Sequence, residues 1–305
     1  MNKLIQISKV SERFHNAIDN IHRGTVISTF SKVVNIITPV GVFTLQESSV
    51  PFTPLSLVLE DSISLKGLGI KPNDHIEINE TEISCNDLTL SFEKAVVIDT
   101  VLHPLSPTRD EEQRSWYIGR ISEKLIEYRS TANAGGLMDI SNHMEVIEGI
   151  LVFRGMKNES ALLNYFQSKV EGHFVLSIEM ARSLASVIGL GFGLTPSCDD
   201  FLVGFLSTLS FFSTESSKLE QFRHDLIEEI RVKLATTTPI SSAFLDAALS
   251  REFSEKILNF YRDCTHTDID IRRMNIEQIA STGHSSGIDS LNGINFGFKL
   301  ISSLQ

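Results

Sequence analysis

The sequence predicts an α+β protein: an N-terminal antiparallel β barrel or sandwich-like domain followed by a mainly α-helical C-terminal domain. Three observations carry that expectation. Apolar residues recur at every second position through much of the first hundred residues and at every third or fourth afterwards. A proline-rich junction, His103-Pro104-Leu105-Ser106-Pro107, separates the two patterns, because two prolines so close disfavour helix and favour extended chain. A length of 305 residues, at roughly 150 per domain, leaves room for two. The domains are expected at residues 1–105 and 106–305.

Within the first, residues 25–99 carry short β-rich runs: Val26-Ile27-Ser28-Thr29-Phe30, Val33-Val34-Asn35-Ile36-Ile37, Ser56-Leu57-Val58-Leu59 and Ala95-Val96-Val97-Ile98. Pro39, Gly41, Pro51, Pro54, Gly67, Gly69 and Pro72-Asn73 punctuate them. His75-Ile76-Glu77-Ile78-Asn79 and Leu88-Thr89-Leu90-Ser91-Phe92 alternate cleanly, which gives one dry and one wet face. Beyond the junction, Thr108-Arg109-Asp110-Glu111 has capping-box spacing and opens a helix whose Tyr117, Ile121, Leu125 and Tyr128 share a face. Further helices are expected across residues 160–169, 176–188, 218–234 and 240–258, and from 286 to the carboxyl end.

Charge and composition narrow the function. Lys and Arg number 27 against 38 Asp and Glu, a formal net charge of −11, so a nucleic-acid backbone meets a mostly repulsive surface. The most apolar run, residues 201–212, is too short to span a bilayer, which takes about 20 apolar positions, so no membrane partner is expected. Polar Asn2, Lys3, Gln6, Ser8 and Lys9 interrupt the amino terminus where a secretory signal would need its apolar stretch, and a cytoplasmic location is expected. Cys85, Cys198 and Cys264 are odd in number and far apart, which indicates free thiols rather than a disulfide framework or zinc site.

The most unusual stretch is Gly189-Leu190-Gly191-Phe192-Gly193-Leu194-Thr195-Pro196-Ser197-Cys198-Asp199-Asp200-Phe201-Leu202-Val203-Gly204. Alternating glycines permit positive φ and let a ligand approach the main chain, and Thr-Pro is a helix-start signal. The apolar spacing of Phe201, Phe205, Leu209 and Phe212 continues as a buried helix. Unpaired N–H groups and the positive dipole end make such a terminus suited to phosphate or carboxylate. Either Thr195, with proline at the first helical position, or Ser197, with Asp200 three residues on, serves as the cap.

Ser286-Gly287-Ile288-Asp289-Ser290-Leu291-Asn292-Gly293 repeats Ser, Asp, Leu and Gly at the offsets of Ser197, Asp200, Leu202 and Gly204. Ser-x-x-Asp also resembles a capping box, which would make Asp200 and Asp289 local helix caps. Capping leaves unexplained the glycine triplet, the adjacent Asp199 and the preceding Gly283-His284-Ser285. A third hydroxyl-rich start lies at Thr236-Thr237-Thr238-Pro239-Ile240-Ser241-Ser242. If the three starts converge they surround a small oxygenated anion with donors; if not, each is an ordinary N-cap.

Taken together in this order, these three motifs resemble the AllH-like family, formerly a domain of unknown function and now linked to a subunit of oxamate carbamoyltransferase. The stretch from Gly24-Thr25-Val26-Ile27-Ser28 to Asn35-Ile36-Ile37 also looks familial. The resemblance would place glycine at Cys198 and often proline at Phe192; a thiol at Cys198 would crowd a ligand resting on that turn. It implies transfer of a carbamoyl group between phosphate and the amide nitrogen of oxamate, run in catabolism as phosphorolysis of oxalurate to carbamoyl phosphate. Partners are then the small anionic substrates and other subunits of the same system. No cofactor and no metal are expected.

For such a site the candidate catalytic residues are Asp199, Asp200, His284 and Asp289. The candidate phosphate- and oxyanion-binding residues are Gly191, Gly193, Thr195, Ser197, Thr237, Ser241, Ser285 and Ser286. Imidazole titrates near neutrality, which makes His284 a candidate acid or base; the alternative is a histidine facing solvent. Asp199 is a candidate to orient the attacking amide or to help hold a divalent cation, although one carboxylate pair without further ligands at a recognisable spacing is a weak metal signal. Few cations stand nearby: Arg182 is the nearest before the glycine loop and Lys218 the first after it. Helix termini or partner subunits must then supply the positive potential. The competing reading is a non-catalytic subunit that binds a small carboxylate or acyl phosphate, or scaffolds its partners.

Overall fold

A computed structural model describes residues 3–61, 63–105, 176–191, 193–213, 218–263 and 269–304. The helices expected at 108–128 and 160–169, together with Phe192 and Cys264, lie outside the described residues. The chain divides into two compact units, residues 1–101 with 252–255, and residues 102–251 with 256–305.

Among the described residues the first unit is built on nine strands and one short α-helix. The strands are β1 (Lys3–Ser11), β2 (Arg23–Thr29), β3 (Val33–Thr38), β4 (Gly41–Gln46), β5 (Ser56–Leu59), β6 (His75–Ile78), β7 (Glu82–Cys85), β8 (Leu88–Ser91) and β9 (Val96–Ile98). Their order is β5-β4-β3-β2-β6-β7-β8-β1-β9, and a further β1–β5 pairing closes eight of them into a barrel. Closure removes the edges of those eight strands, and β9 remains as an edge strand beside β1. Most pairings are antiparallel, as expected; β1–β8, β1–β9 and β4–β5 are parallel.

The alternation read at 75–79 and 88–92 points Ile76, Ile78 and Leu90 into the core, where Val26, Val34 and Ile36 of the expected runs and Leu45 of β4, a strand not expected from the sequence, join them. The helix α1 (Glu12–Ala17) starts at Ser11, whose side chain caps the Phe14 amide. It buries Phe14, edge-on to Phe43 at 5.1 Å and to Phe92 at 5.4 Å. Strand β1 was not anticipated, because a bulge between Ile7 and Lys9 interrupts its period of two.

The described part of the second unit is helical: α2 (Ile178–Ala185), α3 (Ser197–Phe212), α4 (Lys218–Lys233), α5 (Pro239–Leu249), α6 (Glu255–Asp263), α7 (Ile269–Ala280) and α8 (Ser286–Ser303). Glu255, the first residue of α6, belongs to the barrel unit. The single helix expected across 240–258 is two. Between them Arg251 adopts a left-handed φ of 65°, Glu252 bridges to Val101, and the Phe253 amide donates to the Thr100 carbonyl. Arg251 donates to the carbonyl of Ser210 near the end of α3 and pairs with Glu220 on α4 at 3.0 Å. These non-local bonds override the helical period. Burial pushes the Glu220 carboxyl up, but hydrogen bonds from Arg223 and Ser213 and the charges of Arg223 and Arg251 outweigh it and hold it at about 2.

Helices α3 and α8 form the centre of this unit. They run parallel, since Thr195 meets Ser286 at one end while Gly297 meets Thr208 further along. A Cβ at Gly204 would sit 2.0 Å from the Ser290 carbonyl oxygen, and one at Gly293 would sit 1.9 Å from that of Phe201. Only hydrogen side chains allow backbones this close. The two contacts are reciprocal. Gly204 and Gly293, Phe201 and Ser290, Thr208 and Gly297, and Asp200 and Asp289 are related by one and the same sequence shift. The repeated offsets therefore describe a local two-fold arrangement of two helices, which is why Leu and Gly recur along with Ser and Asp.

Candidate functional site

The glycine loop does what its composition requires. Gly189, Gly191 and Gly193 have φ of 78°, 122° and 99°, a region that side chains disfavour. A Cβ at Gly191 would lie 2.4 Å from the Ser197 amide nitrogen, so the loop folds directly over the start of α3. There Pro196 is the N-cap residue, without a side-chain cap, and the Leu190 carbonyl accepts the Cys198 amide at 3.0 Å. Neither Thr195 nor Ser197 caps the helix; the loop's own carbonyl does. Cys198 is buried, so its thiol does not occupy the outer face of the turn.

The capping-box reading of the repeated motif also gives way. Ser197 and Ser286 are the first residues of α3 and α8, and Asp200 and Asp289 are one position too late for the box. At α8 the cap residue is Ser285, again without a side-chain cap, and the Gly287 amide donates to the Thr282 carbonyl. At α5, by contrast, the expected cap is present: Thr238 accepts the Ser241 amide at 3.1 Å, with Pro239 in the first turn.

Asp199 and Asp200 are adjacent but have different surroundings. Asp199 is 1% exposed. Its Oδ1 accepts the Gly189 amide at 2.7 Å, and its Oδ2 accepts the hydroxyls of Ser241, at 2.6 Å, and Thr237. One carboxylate thus ties the glycine loop, the start of α3 and the start of α5 together. The Thr238 hydroxyl adds a bond to the Leu194 carbonyl from the same side.

Asp200 lies beneath the other junction. Thr195 and Ser286 share a hydrogen bond of 3.0 Å that joins the α3 and α8 starts. Burial pushes the Asp200 carboxyl up to about 7; hydrogen bonds from Ser286 and Thr195 oppose the rise, and the charges of Asp289 and Asp199 add to it. Its Oδ2 is buried with no hydrogen-bond partner. Asp289 is fully buried across the helix pair.

All three hydroxyl-rich starts therefore converge, through Asp199 on one side and the Thr195–Ser286 bond on the other. Ser197, Ser285 and Ser286 are half-buried, and Gly191 and Gly193 are exposed. His284 is exposed, in the turn whose Gly283 has φ 61°. Arg182 pairs with Glu229 at 3.1 Å. Sequence reasoning did not find Gly189 or Thr238 as parts of the junction, because a backbone donor and a cap that doubles as a cross-link leave no pattern. Among the described residues no group of three or more His, Cys, Asp or Glu side chains is placed to hold a metal ion, and no helix is long and apolar enough to cross a membrane.

The comparisons with known proteins fall on both units. A model of the AllH family N-terminal domain matches residues 4–97, the barrel, and a model described as oxamate carbamoyltransferase subunit AllH matches residues 187–298, which contain all three helix starts. No solved structure matches the chain.

Proposed function

Because the chain belongs to the AllH family, that of an oxamate carbamoyltransferase subunit, we propose that it works in carbamoyl transfer between phosphate and the amide nitrogen of oxamate, and that the converging helix starts receive the small anionic substrate. The observation that carries this reading is the Thr195–Ser286 bond above the half-buried Asp200. It sets two hydroxyls and the positive ends of two parallel helices beside a carboxyl that burial pushes up to about 7, so that about half of it is neutral near pH 7.

Phosphorolysis of oxalurate needs such a group. A phosphate oxygen bonds to the carbamoyl carbon, the bond from that carbon to the oxamate nitrogen breaks, and the departing nitrogen must gain a proton. Asp200 in its neutral form supplies that proton, and the proton carried by the attacking hydrogen phosphate restores it. Donors aimed at the developing oxyanion contribute about 2.7 to 4 kcal/mol each. Thr195, Ser286 and the open edge of the glycine loop at Gly191 and Gly193 are our candidates for that role, with Ser197, Ser285 and His284 at the rim. Asp199, Thr237 and Ser241 act as positioning residues, because their polar atoms bond one another.

The second reading, a subunit whose motif is a rigid scaffold, is favoured by the number of first-turn groups already paired within the chain, the Cys198 and Gly287 amides among them. One experiment separates the two. Phosphate-dependent oxalurate cleavage is measured for the chain assembled with the other subunits of its system, with Asp200→Asn and Thr195→Val variants. Loss of at least about a hundredfold in kcat without loss of melting temperature supports a catalytic site here. Unchanged kcat assigns the chemistry to another subunit.

A further inference from the structure

The barrel unit carries a cleft that none of the helical-domain chemistry uses, and its origin is local. The bulge between Ile7 and Lys9 interrupts the β1–β5 ladder, and the Ser8 hydroxyl fills the gap by donating to the carbonyls of Val58 and Leu59 at 3.2 Å. Beside this bulge opens a cleft of about 490 Å³. That volume is in the range of sites that hold a substantial ligand. Val50, Phe52 and Val58 give it an apolar floor. Glu60 and Asp61, both exposed, stand on one side, and Glu255 is held on the cleft by its amide bond to the Phe52 carbonyl at 2.9 Å. Among the described residues the lining carries three acidic residues and one basic residue, Lys9.

We propose that this cleft is the docking point for a basic segment of another subunit of the enzyme, one that seats an apolar side chain on Phe52 and Val58 and sets Lys or Arg against Glu60, Asp61 and Glu255. The inference rests on the subunit reading above. Charge complementarity selects the occupant. A chain of net charge −11 repels acidic partners in general, and here the repulsion is concentrated around an apolar floor. An apolar centre with a charged rim is also the anatomy of a protein interface. A free small cation would gain nothing from Phe52 or Val58, and an acidic segment would meet uncompensated like charge.

The test uses the full chain co-expressed with the other subunits of its enzyme system. A carbodiimide cross-linker, which joins a carboxylate directly to a lysine amine, is expected to link Glu60, Asp61 or Glu255 to a lysine of a different subunit, located by mass spectrometry. The triple variant Glu60→Lys, Asp61→Lys, Glu255→Lys should weaken assembly by about a hundredfold or more in Kd, and raising salt should weaken the wild-type assembly in the same direction. The neutral triple variant Glu60→Gln, Asp61→Asn, Glu255→Gln, with an unchanged melting temperature, should show a smaller loss, which separates misfolding from lost complementarity. Assembly within about twofold of wild type for both variants overturns the docking inference and leaves the subunit reading intact. Cross-links only to a second copy of this chain overturn it too, in favour of self-association. If no other subunit assembles with the wild-type chain, both the inference and the subunit reading fall.

Discussion

Two neighbouring regions of the helical unit show how the same chemical group acquires opposite properties. Around Asp199 every bond reaches inward: a backbone amide and two hydroxyls from separate segments bond one buried carboxyl. Around Asp200 the donors are fewer, one oxygen has no partner, and a second buried carboxyl faces it across the helix pair. The first arrangement holds a shape. In the second, burial and then the like charges of Asp289 and Asp199 outweigh the hydrogen bonds from Ser286 and Thr195, so the carboxyl keeps its neutral form to higher pH than an ordinary aspartate. Adjacent positions in a motif therefore differ in role according to how many donors reach each, which no spacing rule records.

This contrast can be broken most severely where both regions depend on one feature, the close approach of α3 and α8. Gly293→Val places a side chain where the Phe201 carbonyl lies, and is expected to destabilise the helical unit by more than about 3 kcal/mol, enough for thermal unfolding and proteolysis to reveal it directly. Asp199→Ala comes next. It strands the Gly189 amide and the hydroxyls of Thr237 and Ser241, and is expected to cost about 2 to 4 kcal/mol, with activity and melting temperature falling together.

Asp200→Asn should have the opposite sign. An aspartate whose folded-state titration is raised to about 7 from an ordinary 3.8 favours folding below pH 4, and that contribution is lost as pH rises through 7. The asparagine variant is thus expected to be more stable than wild type by about 2 to 3 kcal/mol at pH 8, with a smaller gain at pH 5, in parallel denaturation curves. The same titration makes phosphorolysis fall as pH rises above 7, and a rate profile flat from pH 6 to 9 would remove Asp200 from the proton transfer. The smallest effect on stability is expected for Thr195→Val, below about 1 kcal/mol, since Ser286 remains half-buried and within reach of water. If Thr195→Val instead unfolds the unit as severely as Asp199→Ala, the two regions are a single structural knot.

Much of this organisation was legible beforehand, for reasons that can be named. The strands at 26–30, 33–37 and 56–59 were readable because each is a short run rich in β-branched and apolar residues, and Pro and Gly punctuate the stretches between them. The glycine loop and the start of α3 were readable because positive φ and an N-terminal proline are local demands that few residues meet. The breaks were not. Residues 240–258 have a continuous apolar pattern, and only Arg251, drawn to the carbonyl of Ser210 and to Glu220, divides them. Helix α7 was missed because its residues show only weak one-sided apolar spacing. Ser197 and Asp200 have the spacing of a capping box and do not form one, because the helix starts one residue earlier, with Pro196 as its cap residue, whose carbonyl accepts the Asp200 amide.

The sequence by itself determined the two-part architecture, the positions where glycine is obligatory and the three helix starts rich in hydroxyls, since each follows from steric and capping rules within a few residues. Tertiary structure alone decided that the starts meet, that Asp199 is consumed in joining them while Asp200 keeps a buried oxygen without a partner, and that a bulge in β1 lies beside an acid-lined cleft. Those outcomes depend on which distant donors and charges arrive at a given carboxylate, and distance through space is set by packing rather than by position along the chain.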